Sequence, residues 1–497
     1  MEFMEDRISP DARPEGGEGR RRAWRGRLLA LAAAATLSVV AANDWENPAV
    51  NSTNRESARA YSMPLADEKA ALTDDLEPAT PYRLSLNGDW KISWCGDPAL
   101  RPLDFWKTDY DDSQWFTIDV PSCVEMRGFG SPGYTNVRYP HAWDPKRDVA
   151  HPTIRDRDTD KGNYNPVSSY RRTFRVPAEW KGREVFLRFD GVYSAYYVWV
   201  NGQKVGYAED SKLPSEFNVT KYLRDGDNLL AVEVYRWCDG SFLEDQDMFR
   251  FSGIYRDVCL FATPKVRLDD FFVETVPDRP FIDWKLTLRT KVVGGSVPVS
   301  ATLYDAAFQK VGDVKDGVLV VKKARAWSAE DPYLYTLVMK AGEDVRACRV
   351  GFKHVEIVKN EVRFNGKAIK FKGVNRHECS PDNGRTVTMD DMLKDITLFK
   401  RFNINTVRTS HYPDHHSWYD LCDRYGVYVI AEANIEGHEP GYGKDGLGLH
   451  KEWFKTIRER NVNHVLNYRN HAAIFMWSMG NETGHGDGFR LALKDVR

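Results

Sequence analysis

At 497 residues, 42% hydrophobic and 29% charged, the chain has the make-up of a soluble globular protein with room for about three domains. A net charge of −2 excludes an electrostatic case for nucleic acid or an anionic membrane as partner. Seven scattered cysteines (Cys95, Cys123, Cys238, Cys259, Cys348, Cys379 and Cys422) form no C-x-x-C pair and indicate neither a disulfide framework nor a zinc site.

Residues 1–19 are polar and rich in Gly, Pro and Glu, which predicts disorder. The basic run Arg20 to Arg27 then precedes Leu28 to Val40, apolar or small throughout, and Val40-Ala41-Ala42 has the small-residue spacing of a signal-peptidase site. A signal peptide is therefore expected over 1–42, with export to the periplasm or beyond. A membrane-anchored N-terminus is the alternative, although about 13 apolar residues fall short of the roughly 20 that a span needs. The paired arginines fit twin-arginine export only weakly.

Residues 43–81 show little periodicity and read as an extended arm lying on another domain. From 82 to 264 the pattern is all-β, as in Val185-Phe186-Leu187-Arg188-Phe189, Ala195 to Val200 and Leu229 to Tyr235. Asn201-Gly202 between two such runs predicts a type I′ hairpin. Short strands at this spacing predict a sandwich or jelly roll. A more compact β region, 265–352, contains the period-two run Trp284 to Thr290 and strands around Val297–Tyr304 and Tyr333–Val338, the span of an immunoglobulin-like sandwich. Many of the 15 Trp, 23 Tyr and 24 Phe serve such cores, and exposed ones make platforms for sugar C–H faces.

From 353 to 497 the register changes. Strands are predicted at Ile369–Asn375, Asn405–Thr409, Val427–Ala433 and Ile474–Met479, with helices at 389–402, 416–425, 451–468 and 489–496. Four strand–helix alternations predict a parallel sheet, open or closed as a barrel. No glycine-rich phosphate loop opens any of the helices. Each strand ends in capable residues: Asn375-Arg376-His377-Glu378, Arg408-Thr409-Ser410-His411-Tyr412, Glu432-Ala433-Asn434-Ile435-Glu436-Gly437-His438, and Asn481-Glu482. In a parallel α/β barrel these ends share the face where active sites sit. Ile474 to Met479 reads as a buried strand, and a carboxyl at its mouth makes Glu482 an acid/base candidate. Its plainer role is to cap the following helix. Glu436 and His438 can both reach a divalent cation with Glu482 as third ligand, a donor set that suits Mg²⁺ or Mn²⁺. The same carboxylates can instead be hydrogen-bonded to Arg408 or Arg376.

Gly373-Val374-Asn375-Arg376-His377-Glu378, Thr409-Ser410-His411-Tyr412-Pro413, Glu432-Ala433-Asn434-Ile435-Glu436 and Trp477-Ser478-Met479-Gly480-Asn481-Glu482 resemble signatures of the large bacterial β-galactosidases of glycoside hydrolase family 2. The likeness continues upstream through Asp44-Trp45-Glu46-Asn47-Pro48, Tyr134-Thr135-Asn136-Val137 and Glu244-Asp245-Gln246-Asp247-Met248, and covers the chain from about residue 44. It implies a jelly roll, an immunoglobulin-like sandwich and a TIM barrel in that order. It also implies retaining hydrolysis of terminal β-D-galactosyl residues. By the resemblance Glu482 is the acid/base, Asn481 meets the sugar 2-hydroxyl, and His377 and His411 hold the sugar at the transition state. Glu436, His438 and Glu482 match Mg²⁺ ligands. Asn136 and Asp247 reach in from the jelly roll, Asp247 also helping to ligate Na⁺ or K⁺. Met479 and Thr483 depart slightly from the usual pattern.

In that family the nucleophilic glutamate comes from a later barrel strand. About 145 residues follow Phe352, against about 250 for a whole barrel. The expectation is thus the first half of a barrel, with the nucleophile, part of the monovalent-cation site and C-terminal domains absent and the chain alone inactive. The full-length protein is expected to be a homo-oligomer acting on β-galactosides, and a complementing C-terminal fragment would satisfy the open sheet. Two alternatives stand beside this: another family 2 specificity such as β-glucuronidase or β-mannosidase, and a non-catalytic carbohydrate-binding remnant. The uronic-acid enzyme lacks an identifiable pair of cationic groups here.

Overall fold

Alternating apolar residues build a sandwich first. The computed structural model describes residues 43–139, 164–278, 280–438, 443 and 445–497, so the expected signal peptide lies outside the described residues. A seven-stranded antiparallel sheet contains Ala195–Val200 and Gln203–Ala208, and faces a four-stranded sheet built on Glu184–Phe189 and Val258–Thr263. Their inward residues, among them Trp90, Leu187, Val198, Leu230 and Leu260, form one buried core. Asn201 and Gly202 have φ of +50° and +82°, the two positive values that a type I′ turn demands.

The arm touches every later part of the chain. Ser52–Thr53 adds a short strand to Gln203–Ala208, the Leu65 N–H donates to Val345 O at 2.9 Å, and Glu77 lies 2.5 Å from His416 Nε2. The second sandwich packs Arg267–Pro277, Trp284–Val293 and Val318–Val321 against a four-stranded sheet around Trp284, Leu286, Leu303 and Leu337.

The barrel portion has four parallel strands in sequence order: β1 (Gly373–Arg376), β2 (Thr406–Thr409), β3 (Tyr428–Glu432) and β4 (Ile474–Ser478). Between and after them run α1 (Met389–Arg401), α2 (His416–Tyr425), α3 (Phe454–Tyr468) and α4 (Asp487–Val496). A capping box starts α1: Thr388 Oγ1 accepts from the Asp391 N–H at 3.1 Å, and Asp391 accepts from the Thr388 N–H at 2.9 Å. Its buried stripe is Met392, Ile396 and Phe399. Among the described residues no helix is long and apolar enough to cross a membrane.

Two strand expectations need correction. The first strand starts at Gly373; Ile369 and Phe371 pack partly buried on the barrel core ahead of it. The last strand is not buried throughout: Ile474 is, but Met476 is 42% exposed. The cause is its position, because among the described residues β4 pairs on one side only, with β3.

The single-turn helix Asp239–Leu243 carries the sandwich toward the barrel and brings Asp239 beside Glu209, both buried. Burial, and then the Asp239 charge, pushes Glu209 well above the ordinary carboxylate range, while burial pushes Asp239 up to about 7. The native pair thus keeps a proton that the unfolded chain releases near pH 4, so stability falls as pH rises from about 4.5 through 7. Glu209→Gln, which keeps an acceptor for the Tyr207 hydroxyl at 2.5 Å, is expected to raise stability by about 1 kcal/mol at pH 7 and to flatten that slope. Urea midpoints at pH 5 and 7 check both.

Candidate active site

Glu436 is held in place by backbone from two sides. Its N–H donates to Leu243 O at 2.8 Å and its carbonyl accepts from the Asp245 N–H at 3.1 Å, so the sandwich segment pairs directly with the loop after β3. On the other side the Asn481 N–H donates to Ile435 O at 2.9 Å. This close approach requires Gly480, which has φ +140° and where a Cβ would sit 2.7 Å from Ile435 O. Glu482 follows at φ +31°, unusual for a residue with a side chain, and its side chain is 58% exposed. Such backbone strain costs on the order of 1–3 kcal/mol and concentrates at functional positions.

Beneath them Glu432 is a fully buried hub. Arg408 donates to both its oxygens at 2.8 Å, Ser478 Oγ donates at 2.6 Å, and His411 Nδ1 lies 2.7 Å away. Arg408 also donates to Asn481 Oδ1 at 2.9 Å, and Asn481 Nδ2 donates to Glu436 Oε1 at 3.0 Å. The Asn481 amide is thereby fixed at both ends with one N–H left over. His411, using Nδ1 on Glu432, presents Nε2.

His377 sits edge-on to His411, ring centroids 5.6 Å apart, with Nδ1 3.1 Å from the Tyr412 hydroxyl. Burial first, then the Arg385 guanidinium, hold it down to about 4, so its ring is neutral at pH 7. Its neighbours point elsewhere. Arg376 pairs with Asp414 and Asp395 at 2.7 and 2.9 Å, and Glu378 pairs with Arg256 of the first sandwich.

Glu436, His438 and Glu482 bring one donor atom each within 4.8 Å of one another. His438 Nε2 is 2.8 Å from Glu482 and 3.3 Å from Glu436, while Asp245 holds Nδ1 at 3.2 Å. Glu436 Oε2 is buried without a hydrogen-bond partner. Two carboxylates, one of them with an orphaned oxygen, and an imidazole oriented by a further carboxylate fit a hard divalent cation. Burial raises Glu436 to about 7, against the opposing pull of His411 and of the Asn481 hydrogen bond. His438 rises to about 9 because its carboxylate partners outweigh burial.

Asn136 and Asp247 lie on a small ribbon in which Gly133–Thr135 pairs with Met248–Arg250. Both are exposed. Asp247 accepts a hydrogen bond from the Tyr134 hydroxyl, and its charge reaches His377. All eight residues singled out from the sequence therefore belong to this face or to the ribbon beside it.

Three profiles of one family tile the chain: "Glycosyl hydrolases family 2, sugar binding domain" at residues 84–264, "Glycosyl hydrolases family 2" at 266–353, and "Glycosyl hydrolases family 2, TIM barrel domain" at 355–497. The chain belongs to glycosyl hydrolase family 2. It is similar to a β-galactosidase of Priestia megaterium, 39% identical over 480 residues, which covers 90% of this chain and 46% of that protein. A β-galactosidase of Halalkalibacterium halodurans is 41% identical over 438 residues, 83% of this chain and 42% of that one. The chain thus spans less than half the length of these curated relatives. Among solved structures, a Ruminococcus gnavus β-glucuronidase in complex with uronic isofagomine matches with a TM-score of 0.71 at 21% identity, covering 89% of this chain and 72% of that one, a likeness of fold.

Within this family 2 chain, sequence reasoning passed over three parts of the face. Glu432 was one of several carboxylates at strand ends, and only its ring of donors distinguishes it. Asp245 and Gln246 were quoted without roles; Gln246 Nε2 donates to Asn434 Oδ1 at 3.1 Å. The run Glu244-Asp245-Gln246-Asp247, polar amid apolar strands, was the available signal.

Proposed function

We propose that this chain carries the acid/base half of a retaining β-galactosidase. The observation that carries the reading is the convergence on one barrel face of an exposed, strained Glu482, a clamped Asn481 and two histidines that each keep Nε2 for a hydroxyl. The β-galactosidase names of the relatives support it. Glu482 protonates the departing glycosidic oxygen and then takes a proton from the attacking water. Asn481 gives its remaining N–H to the 2-hydroxyl, and His377 and His411 hold the ring. Asn136 and Asp247 contact the galactosyl unit from the ribbon.

A glucuronide would need a free cation for its carboxylate. On this face Arg408 is spent on Glu432 and Asn481, Arg385 on the Tyr412 hydroxyl and Phe249 O, and burial holds the Lys212 amine over the Tyr412 ring well below the ordinary lysine range, which favours the neutral sugar. The second carboxylate of the retaining pair is not among these groups, since Glu432 is fully occupied by donors and Glu436 faces the cation cluster. We assign it to polypeptide beyond these residues, consistent with relatives of twice the length. The purified chain is expected to bind methyl β-D-galactopyranoside in preference to the glucuronide by NMR titration, and to turn over a chromogenic β-galactoside only at background rate. Preference for the glucuronide would sink the substrate assignment. Turnover lost in Glu482→Gln would place a nucleophile within the chain.

Mg²⁺ is proposed at Glu436, His438 and Glu482, where it would supply positive charge beside the acid/base carboxyl. Asp245 fixes the histidine ring for it. Mn²⁺ titration followed by electron paramagnetic resonance should show one site, with Asp245→Asn weakening it by roughly 10–100-fold. Unchanged affinity in that variant would remove Asp245 from the site. A Na⁺ or K⁺ at the exposed Asp247 carboxylate, and export directed by residues 1–42, complete the proposal.

A further inference from the structure

The first sandwich and the barrel meet in a buried seam where arginines are matched to carboxylates. Arg250 pairs with Asp245 at 3.0 Å, Arg256 with Glu378 at 2.5 Å and Arg460 with Glu244 at 2.7 Å. Arg385 is the exception. It is 4% exposed, and among the described residues it forms no ion pair with a carboxylate. The ionisable groups that bear on it most are the phenols Tyr412, Tyr193 and Tyr255, all held above the ordinary tyrosine range by burial and so neutral at pH 7. A guanidinium cannot shed its proton, so the charge stays in the seam, where an uncompensated charge is strongly unfavourable.

Two donors in the same place also lack acceptors. Arg385 reaches the Tyr412 hydroxyl at 3.2 Å and Phe249 O at 2.9 Å, but its Nε–H is buried without a partner. Lys212 is 0% exposed, and its Nζ makes no hydrogen bond among the described residues. Both lean on one ring: Lys212 Nζ lies 4.0 Å, and the Arg385 guanidinium carbon 5.5 Å, from the Tyr412 centroid. The charges that bear on Lys212 most are Arg385, Arg256, Glu378 and Glu244. Both glutamates are committed, Glu378 to Arg256 and the His415 N–H, and Glu244 to Arg460, Asn434 and Ser211. One unmatched positive charge remains, with two unused donors beside it. A water can answer the donors but not the charge. Because both side chains are enclosed by the described residues, a sugar carboxylate at the barrel face cannot be the missing partner.

We propose that the seam holds a small monovalent anion of the halide class, seated between Lys212 Nζ and Arg385 Nε. The ion accepts a charge-assisted hydrogen bond from each and balances the guanidinium. Burial and then the Arg385 charge hold the amine below the ordinary lysine range, and an anion between the two offsets the second influence. The site stands behind the catalytic face. Arg385 holds the Tyr412 hydroxyl, which lies 3.1 Å from His377 Nδ1, so the anion steadies that histidine without touching the sugar.

Bromide, which substitutes for chloride and scatters anomalously, locates the ion in crystals of the chain. A peak touching both Lys212 Nζ and Arg385 Nε is the expected result. Bromide on the surface only, or a water between the two side chains with no anomalous signal, would overturn the site. In solution, sodium chloride is exchanged for sodium methanesulfonate, whose anion is too bulky for the seam, at constant ionic strength. Chloride at ten times its Kd should lower the unfolding constant in urea about ten-fold. Lys212→Met, which keeps the volume of the side chain and removes the amine, should weaken chloride by at least about ten-fold. An equal chloride effect in parent and variant would show that the ion acts elsewhere. If the methionine variant does not fold, the bromide position in the parent decides. No sugar enters either experiment, so the outcome is separate from the galactosidase reading.

Discussion

Arg408→Met is expected to lower stability by about 3–5 kcal/mol, the usual result of stripping one partner from a buried ion pair. Glu432 is wholly buried, and after the substitution it would keep only Ser478 and His411 of its side-chain donors. Asn481 would lose the donor that orients its carbonyl oxygen. Ser478→Ala removes one hydroxyl donor from the same carboxylate and should cost only about 1 kcal/mol. Urea denaturation of the two variants makes the comparison. A methionine variant no worse than the alanine variant would mean that water, not Arg408, satisfies Glu432.

The largest effect on rate is expected at Glu482. In the complete hydrolase proposed above, Glu482→Gln should reduce kcat/KM by roughly 10²–10⁴-fold on an alkyl β-galactoside, whose leaving oxygen needs a proton. A nitrophenyl galactoside, whose leaving group departs as an anion, should suffer far less. The ratio between the two substrates is the diagnostic quantity. Equal losses on both would assign Glu482 to cation binding or positioning instead of proton transfer.

Local pattern carried most of the architecture. The hairpin at Asn201-Gly202, the alternation of Trp284 to Thr290 and the four strand–helix units all depend on neighbours within a few residues. Glu482 and His438 were legible because their residue types stand out at strand ends. What remained hidden was non-local. Asp245 meets His438 across 193 positions, and nothing near either one announces the other. Arg376 and Glu378, in the same motif as His377, turned inward to Asp414 and Arg256, partners 38 and 122 positions away. The partial exposure of Met476 was equally unreadable, because an apolar run looks the same at the edge of a sheet as at its centre.

The backbone pairing of Leu243 and Asp245 with Glu436 bears on how such proteins can be rebuilt. One proposed cation ligand owes its position to hydrogen bonds from a different module, and the ring of another is steered by that module's Asp245. Barrel and sandwich are therefore not interchangeable parts. A chimera that grafts this barrel segment onto a foreign sugar-binding module should fold its own sheet yet misplace Glu436, unless residues 239–247 travel with it.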